Sequence, residues 1–161
     1  MKVAVRKGFG FGLTSGVIST LGLMMGLSSG THSSDVVLGG IIVIAIADAM
    51  SDAVAIHMSE ETNASEDEST IWPETIASFS SKFIIALLFV IPVLLLPLNA
   101  VVNLNIIFGL LLIGILSYYI AKFEKRNILK IVASHLIITI AVVVITKYVG
   151  AWADTIKTGR A

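Results

Sequence analysis

Asp48 and Asp52, in the stretch VVLGGIIVIAIADAMSDAVAIHMS, stand four residues apart inside an otherwise apolar run. On a helix that spacing puts them about 40° apart and one turn along, on one face. Ala45, Ala55 and Ser59 are their neighbours there and leave room for water or an ion. A carboxylate at mid-membrane costs about 2.5–3.5 kcal/mol even on the lenient insertion scale. Two of them, with no local lysine or arginine, require a compensating partner, and a bound cation would supply it. Like-charge repulsion and desolvation also favour a proton shared by the pair, which makes exchange of protons for metal physically reasonable. The bland alternative is a structural pair of carboxyls bonded to nearby hydroxyls and backbone.

Other groups offer less. Met58, Met24, Met25 and Met50 carry thioethers that suit a soft divalent metal, although methionine in an apolar helix usually packs. His57 points away from the aspartate line and reads as an interfacial histidine, while His135 and Thr139 are expected to be satisfied within a bundle. Asn99, Asn103 and Asn105 suit a turn and the start of a helix. The absence of cysteine removes thiolate metal sites, thiol nucleophiles and disulfides. An intramembrane aspartyl protease would need carboxylates converging from separate helices, and no motif frames Ser15 or Ser28 as a nucleophile, so an enzyme is not expected.

A second feature could position such a site. In GFGFGLTSGVISTLGLMMGLSSG, Gly8, Ser15, Ser19, Gly22, Gly26 and Ser29 fall within about 40° of one helical line, interrupted only by Phe11. Two small-xxx-small series, Gly8, Gly12, Gly16 and Gly22, Gly26, Gly30, run along or beside it. In lipid such stripes allow close backbone approach. This one could pack on a helix of the same chain, on its twin in a homodimer, or line a polar path with the Ser15 and Ser19 hydroxyls.

The elements around these residues point to a bilayer. The chain is 56% hydrophobic and only 14% charged, with a mean hydropathy of +0.94. Apolar runs long enough to cross the hydrocarbon core lie near 9–29, 36–58, 79–98, 101–121 and 128–149, giving one all-α membrane domain of five spans over 1–161. The charged start, with Lys2, Arg6 and Lys7, resembles a signal head but reads as the flank of a retained first span. A cytoplasmic amino terminus and an opposite carboxyl terminus put eight basic residues inside, Lys82 among them, and three outside. SEETNASEDESTIWPE then forms a cytoplasmic acidic loop, about 59–75, whose Glu60, Glu61, Glu66, Asp67 and Glu68 would concentrate cations or merely be solvated. Trp72 and Pro73 mark re-entry into the interface, and Pro92 and Pro97 predict a kink late in the third span. No basic patch with interleaved aromatics suggests nucleic acid.

Taken in order, SGVISTLGLMMG, IADAMSDAVAIHMS, FVIPVLLLP and ITKYVG resemble the vacuolar iron transporter family over all five spans. The resemblance implies a homodimer with a path at the interface of the first two helices, exporting ferrous iron or manganese from the cytoplasm, commonly against protons. Asp48 best matches a polar site of the family and Asp52 is a residue this chain adds; in a dimer the four carboxylates would suffice for a divalent site completed by Ser15, Ser19 and water, with the Met58 thioether as a further candidate and Gly8, Gly12, Gly22 and Gly26 at the packing or dimer interface. Three departures stand out. Ser15 occupies the place of the family's first-helix aspartate, Asp52 and Ile56 align where a methionine and a glutamate are usual, and the short acidic loop replaces a cytoplasmic metal-binding domain. The expected function is therefore export of a divalent metal, Fe2+ or Mn2+, with no tightly bound cofactor, in a prokaryotic plasma membrane. The alternative is a non-transporting membrane module for assembly or partner binding.

Overall fold

The computed structural model describes residues 2–62 and 68–159. It contains α1 (Lys2–Thr31), α2 (Ser34–Glu61), α3 (Glu68–Leu88), α4 (Val90–Leu95), α5 (Leu98–Phe123) and α6 (Ile128–Thr158). Five segments are long and apolar enough to cross a membrane: Val3–Thr31, Ser34–Glu61, Ser69–Leu95, Leu98–Phe123 and Ile128–Ile156.

Local chemistry sets the boundaries. Ser33 caps α2, its hydroxyl accepting from the Val36 N–H at 3.4 Å, and Asp35 lies in the first turn against the positive end of the helix dipole. α5 ends with Lys125 in the left-handed region (φ 53°), and the Arg126 N–H returns to the Ala121 carbonyl. The third span is broken near Phe89 because Pro92 has no N–H to give the carbonyl four residues before it. The Phe89 N–H instead donates to Ala86, and Asn105 Nδ2 donates to the Phe89 carbonyl at 3.3 Å. Pro97, with ψ 149°, turns the chain into α5.

Asn105 is thus not a residue of the helix start. It lies fully buried on α5, between Phe89 and the Met24 sulfur. Asn105→Ala is expected to cost about 1–3 kcal/mol, because it leaves the broken segment without its donor. A fall in the melting temperature of the purified protein checks this.

α1 is the hub of the bundle, touched by α2, α3, α5 and α6. Val17, Leu21 and Met24 on it are fully buried. α5 meets the core along Val101, Asn105, Gly109, Ile113, Ser117 and Ala121, a row with period four, and Leu21 fills the space over Gly109. The two glycine series of α1 face different neighbours in the same chain. Cβ atoms added at Gly8, Gly12 and Gly16 would meet Glu74, Ser78 with Ser81, and Ile85 with Lys82 of α3. Those added at Gly22, Gly26 and Gly30 would meet Val142, Thr146 and Gly150 of α6. The stripe is therefore occupied by intrachain packing.

The third span starts ten residues earlier than the apolar run suggests, at Ser69 instead of 79. Much of the expected acidic loop is helix: α2 continues through Glu61, and α3 begins at Glu68. Pro73 lies inside α3, in its second turn. Tyr118, Tyr119 and Trp72 lie exposed toward one end of the bundle and Tyr148 and Trp152 toward the other, the distribution of aromatic belts at two interfaces.

Candidate functional site

The polar centre of the molecule is built by three helices. Ser15 of α1 comes between two chains of charge because α1 runs antiparallel to α2 and parallel to α3, as the Lys7 to Glu60 and Gly8 to Glu74 contacts fix. Gly16, beside it, has no side chain, and an added Cβ would lie 3.2 Å from the Lys82 Cγ. That gap lets the lysine stem lie flat against α1.

Lys82 Nζ lies 2.5 Å from Asp52 Oδ2 and 2.6 Å from Asp48 Oδ2, and it donates to Ser15 Oγ at 3.0 Å. The Ser15 hydroxyl donates in turn to Asp52 Oδ2 at 2.7 Å. Lys82 is 2% exposed, whereas the Asp48 and Asp52 side chains keep 32% and 22% of their surface. Lys82 stands thirteen residues from either end of Ser69–Leu95, and Asp48 is equally central in Ser34–Glu61. The cluster is therefore at mid-span. Two carboxylates facing one ammonium leave one negative charge in excess.

This corrects the sequence reading at two points. The cation that the aspartates require is present in the chain itself, on a different helix. Lys82 is consequently no charge of a cytoplasmic flank, and without it seven basic residues stand against three in the orientation argument.

The expected ligands divide. Asp48, Asp52 and Ser15 converge. Ser19 Oγ is buried without a hydrogen-bond partner and does not join them. Met58 is 60% exposed and points away, so its thioether is not part of the cluster. Among the described residues no three His, Cys, Asp or Glu side chains converge as a metal-binding group. A shallow groove of about 660 Å³, lined by Leu23, Leu27, Gly39, Gly40, Val43 and Asp48, reaches one aspartate and is almost wholly apolar.

A second charged cluster lies two turns away on the same seam, about 12 Å along α1. Lys7 Nζ is 2.5 Å from Glu60 Oε1 and 3.4 Å from Glu74 Oε1. Glu60 and Glu74 are 8% and 4% exposed. Glu60 is thus not an open loop acid: it ends a helix and is paired with Lys7. Glu61, at the tip of α2, approaches His57 Nε2 at 3.3 Å, and His57 Nδ1 lies 3.1 Å from Thr75 Oγ1 with its ring against Trp72. Glu66 and Asp67 lie outside the described residues, as does the side chain of Glu68. Between the clusters, opposite Gly12, Ser81 Oγ donates to the Ser78 carbonyl and Ser78 Oγ is buried without a partner. Polar groups therefore recur along the α1–α2–α3 seam from one end of the bundle to its middle. His135, as expected, is satisfied inside the bundle, 2.7 Å from Ser117 Oγ.

Compared with models of protein families, with characterised proteins and with solved structures, the chain matches none.

Proposed function

We propose that the protein is a membrane-embedded cation transporter whose path follows the α1–α2–α3 seam, with a divalent metal, Fe2+ or Mn2+, as the cargo. The observation that carries this reading is the mid-span cluster of Asp48, Asp52, Ser15 and Lys82, which holds one negative charge more than its lysine offsets. An ionisable group inside a bilayer is expensive, and a fold retains three of them where ions or protons pass. The carboxylates stay partly exposed while the ammonium is buried, so an arriving cation meets oxygen before it meets Lys82.

Lys82 acts in this scheme as a tethered counter-ion. Its compact ammonium on a flexible four-carbon stem holds the aspartates while no cargo is bound. A cation that binds the same oxygens displaces it, and the hydroxyl of Ser15 and water complete an oxygen shell of the kind hard divalent ions accept. The Lys7, Glu60 and Glu74 cluster stands at the end of the seam from which cargo would come. A homodimer, which the sequence resemblance implies, would use faces other than the glycine stripe, since the stripe already has partners.

Uptake of Mn2+ into proteoliposomes tests the proposal. Asp48→Asn and Asp52→Asn are each expected to reduce the initial rate by at least about tenfold, the effect of removing about 1.4 kcal/mol or more of cation binding. Absence of metal flux in the wild type, or unchanged flux in both variants, overturns it.

The second reading is a non-transporting membrane module, and a specific observation favours it: both aspartates are paired inside the chain, at salt-bridge distance, with a buried lysine. The two readings separate on the behaviour of Lys82 variants.

A further inference from the structure

We infer that the groove between the first half of α1 and the last turns of α5 is a binding site for an anionic phospholipid. It is a cleft of about 690 Å³, lined by Val3, Arg6, Gly10, Leu13, Tyr119 and Phe123 among others. The inference does not depend on what the seam carries.

The groove follows from the packing of α1. Its Gly8, Gly12 and Gly16 face is covered by α3, and α6 meets its Gly22, Gly26 and Gly30 stretch at Val142, Thr146 and Gly150. Toward the other end of its length α6 stands against α5, at Ser117 and His135. The first half of α1 and the end of α5 are left facing each other, and among the described residues those that line the cleft come from these two helices and from Glu124 just after α5. Gly10 keeps the cleft open, because the nearest side-chain atom to an added Cβ is Ile120 Cδ1 at 3.8 Å.

Charge selects the occupant. The Arg6 guanidinium lies over the Phe123 ring at 5.3 Å and has no carboxylate partner among the described residues. Outside the lining but at the same end of α5, Lys122 lies over Tyr118 at 5.8 Å, and Lys125 and Arg126 stand in the turn that follows. Glu124 is the one acid among the lining residues, and Arg126 lies 3.6 Å from it. Lys7 also lines the cleft, but its ammonium is held by Glu60 and Glu74. A cationic mouth thus stands above an apolar slot that runs from Val3 to Leu13, about 15 Å along the helix. A free phosphate would use only the mouth. An anionic phospholipid uses both, its phosphate at Arg6 within the field of the basic residues that end α5 and its acyl chain in the slot, as basic clefts between membrane helices do for such headgroups.

Native mass spectrometry of the full-length protein, released from nanodiscs of equal phosphatidylglycerol and phosphatidylcholine, tests this. The expected result is one retained phosphatidylglycerol per chain. Loss of about fivefold in retention is expected for Arg6→Gln and again for Lys122→Gln, the effect of removing one basic group each from an anionic headgroup. Gly10→Leu fills the slot and should abolish retention with both cations in place. Should that variant not fold, the two charge variants, which leave the slot itself unfilled, still decide the matter. Equal retention of both lipids, unchanged by the charge variants, overturns the inference. So does displacement of the lipid by millimolar inorganic phosphate, which would make the mouth alone the site. Cross-linking of two chains through Tyr119→Cys in place of lipid would identify a second copy as the occupant and overturn it as well.

Discussion

Lys82→Met is expected to lower the stability of the protein by about 3 kcal/mol, read as a large fall in melting temperature in detergent. Removing one partner of a buried ion pair costs about 3–5 kcal/mol, because the remaining charge loses its counter-ion while staying desolvated. The lower figure applies here, since Asp48 and Asp52 keep a third and a fifth of their side-chain surface. Adding Asp48→Asn and Asp52→Asn to Lys82→Met should restore most of the loss, as neutral amides no longer need the ammonium. The non-additivity of that cycle measures the coupling directly. A Lys82→Met protein as stable as the wild type would show that the ion pairs contribute nothing. The same variant separates the two functional readings. If Lys82 is an occupant that cargo displaces, Mn2+ should raise the melting temperature of Lys82→Met more than that of the wild type, because no ammonium competes for the oxygens. If the cluster is purely structural, millimolar Mn2+ leaves both unchanged.

The five spans were legible because apolar runs of bilayer length need no tertiary information. Lys82 was not, and the reason lies in α3. The run that begins at Phe79 places Lys82 beside a membrane surface, where a lysine reads as a flank. Yet Trp72 already marked the interface, and ten residues of helix from Trp72 to Lys82 cover about 15 Å, half the hydrocarbon thickness. Measured from the tryptophan, Lys82 falls at mid-membrane and becomes the natural partner of Asp48 and Asp52. The same error of scale made Glu60 and Glu74 loop acids. A helix that extends past its apolar run carries its end charges into contact with neighbours, and Lys7 is that neighbour here. Asn105 was hidden for another reason: its role depends on the Phe89 carbonyl, at a break sixteen residues earlier that only the folded chain brings beside it. The glycine stripe was legible as a contact surface, but the partner of each glycine is a matter of which helices cross it. Sequence periodicity gives a face and no address.

Gly150→Leu is expected to destabilise the bundle by about 2–3 kcal/mol or more, at the upper end for an overpacked site. The Cβ alone would run into the Gly26 carbonyl of α1, and an added Cβ at Gly30 would lie 2.9 Å from the Gly150 carbonyl in return. Backbone faces backbone at this crossing, so no side chain can rotate aside, and α6 must move off α1 as a unit. Because little of α6 is buried elsewhere, separation at this point removes much of what attaches the fifth span. Gly114→Ala is the control. Nothing lies within 4 Å of its added Cβ, so it should be neutral or gain up to about 1 kcal/mol from the better helix propensity of alanine. The comparison also decides what the stripe is for. Destabilisation of Gly150→Leu with an unchanged oligomeric state places the glycines in intrachain packing, where α3 and α6 meet them. A shift from dimer to monomer at unchanged melting temperature would instead make the stripe a seam between two chains, and would require α6 to leave α1 in the assembled form.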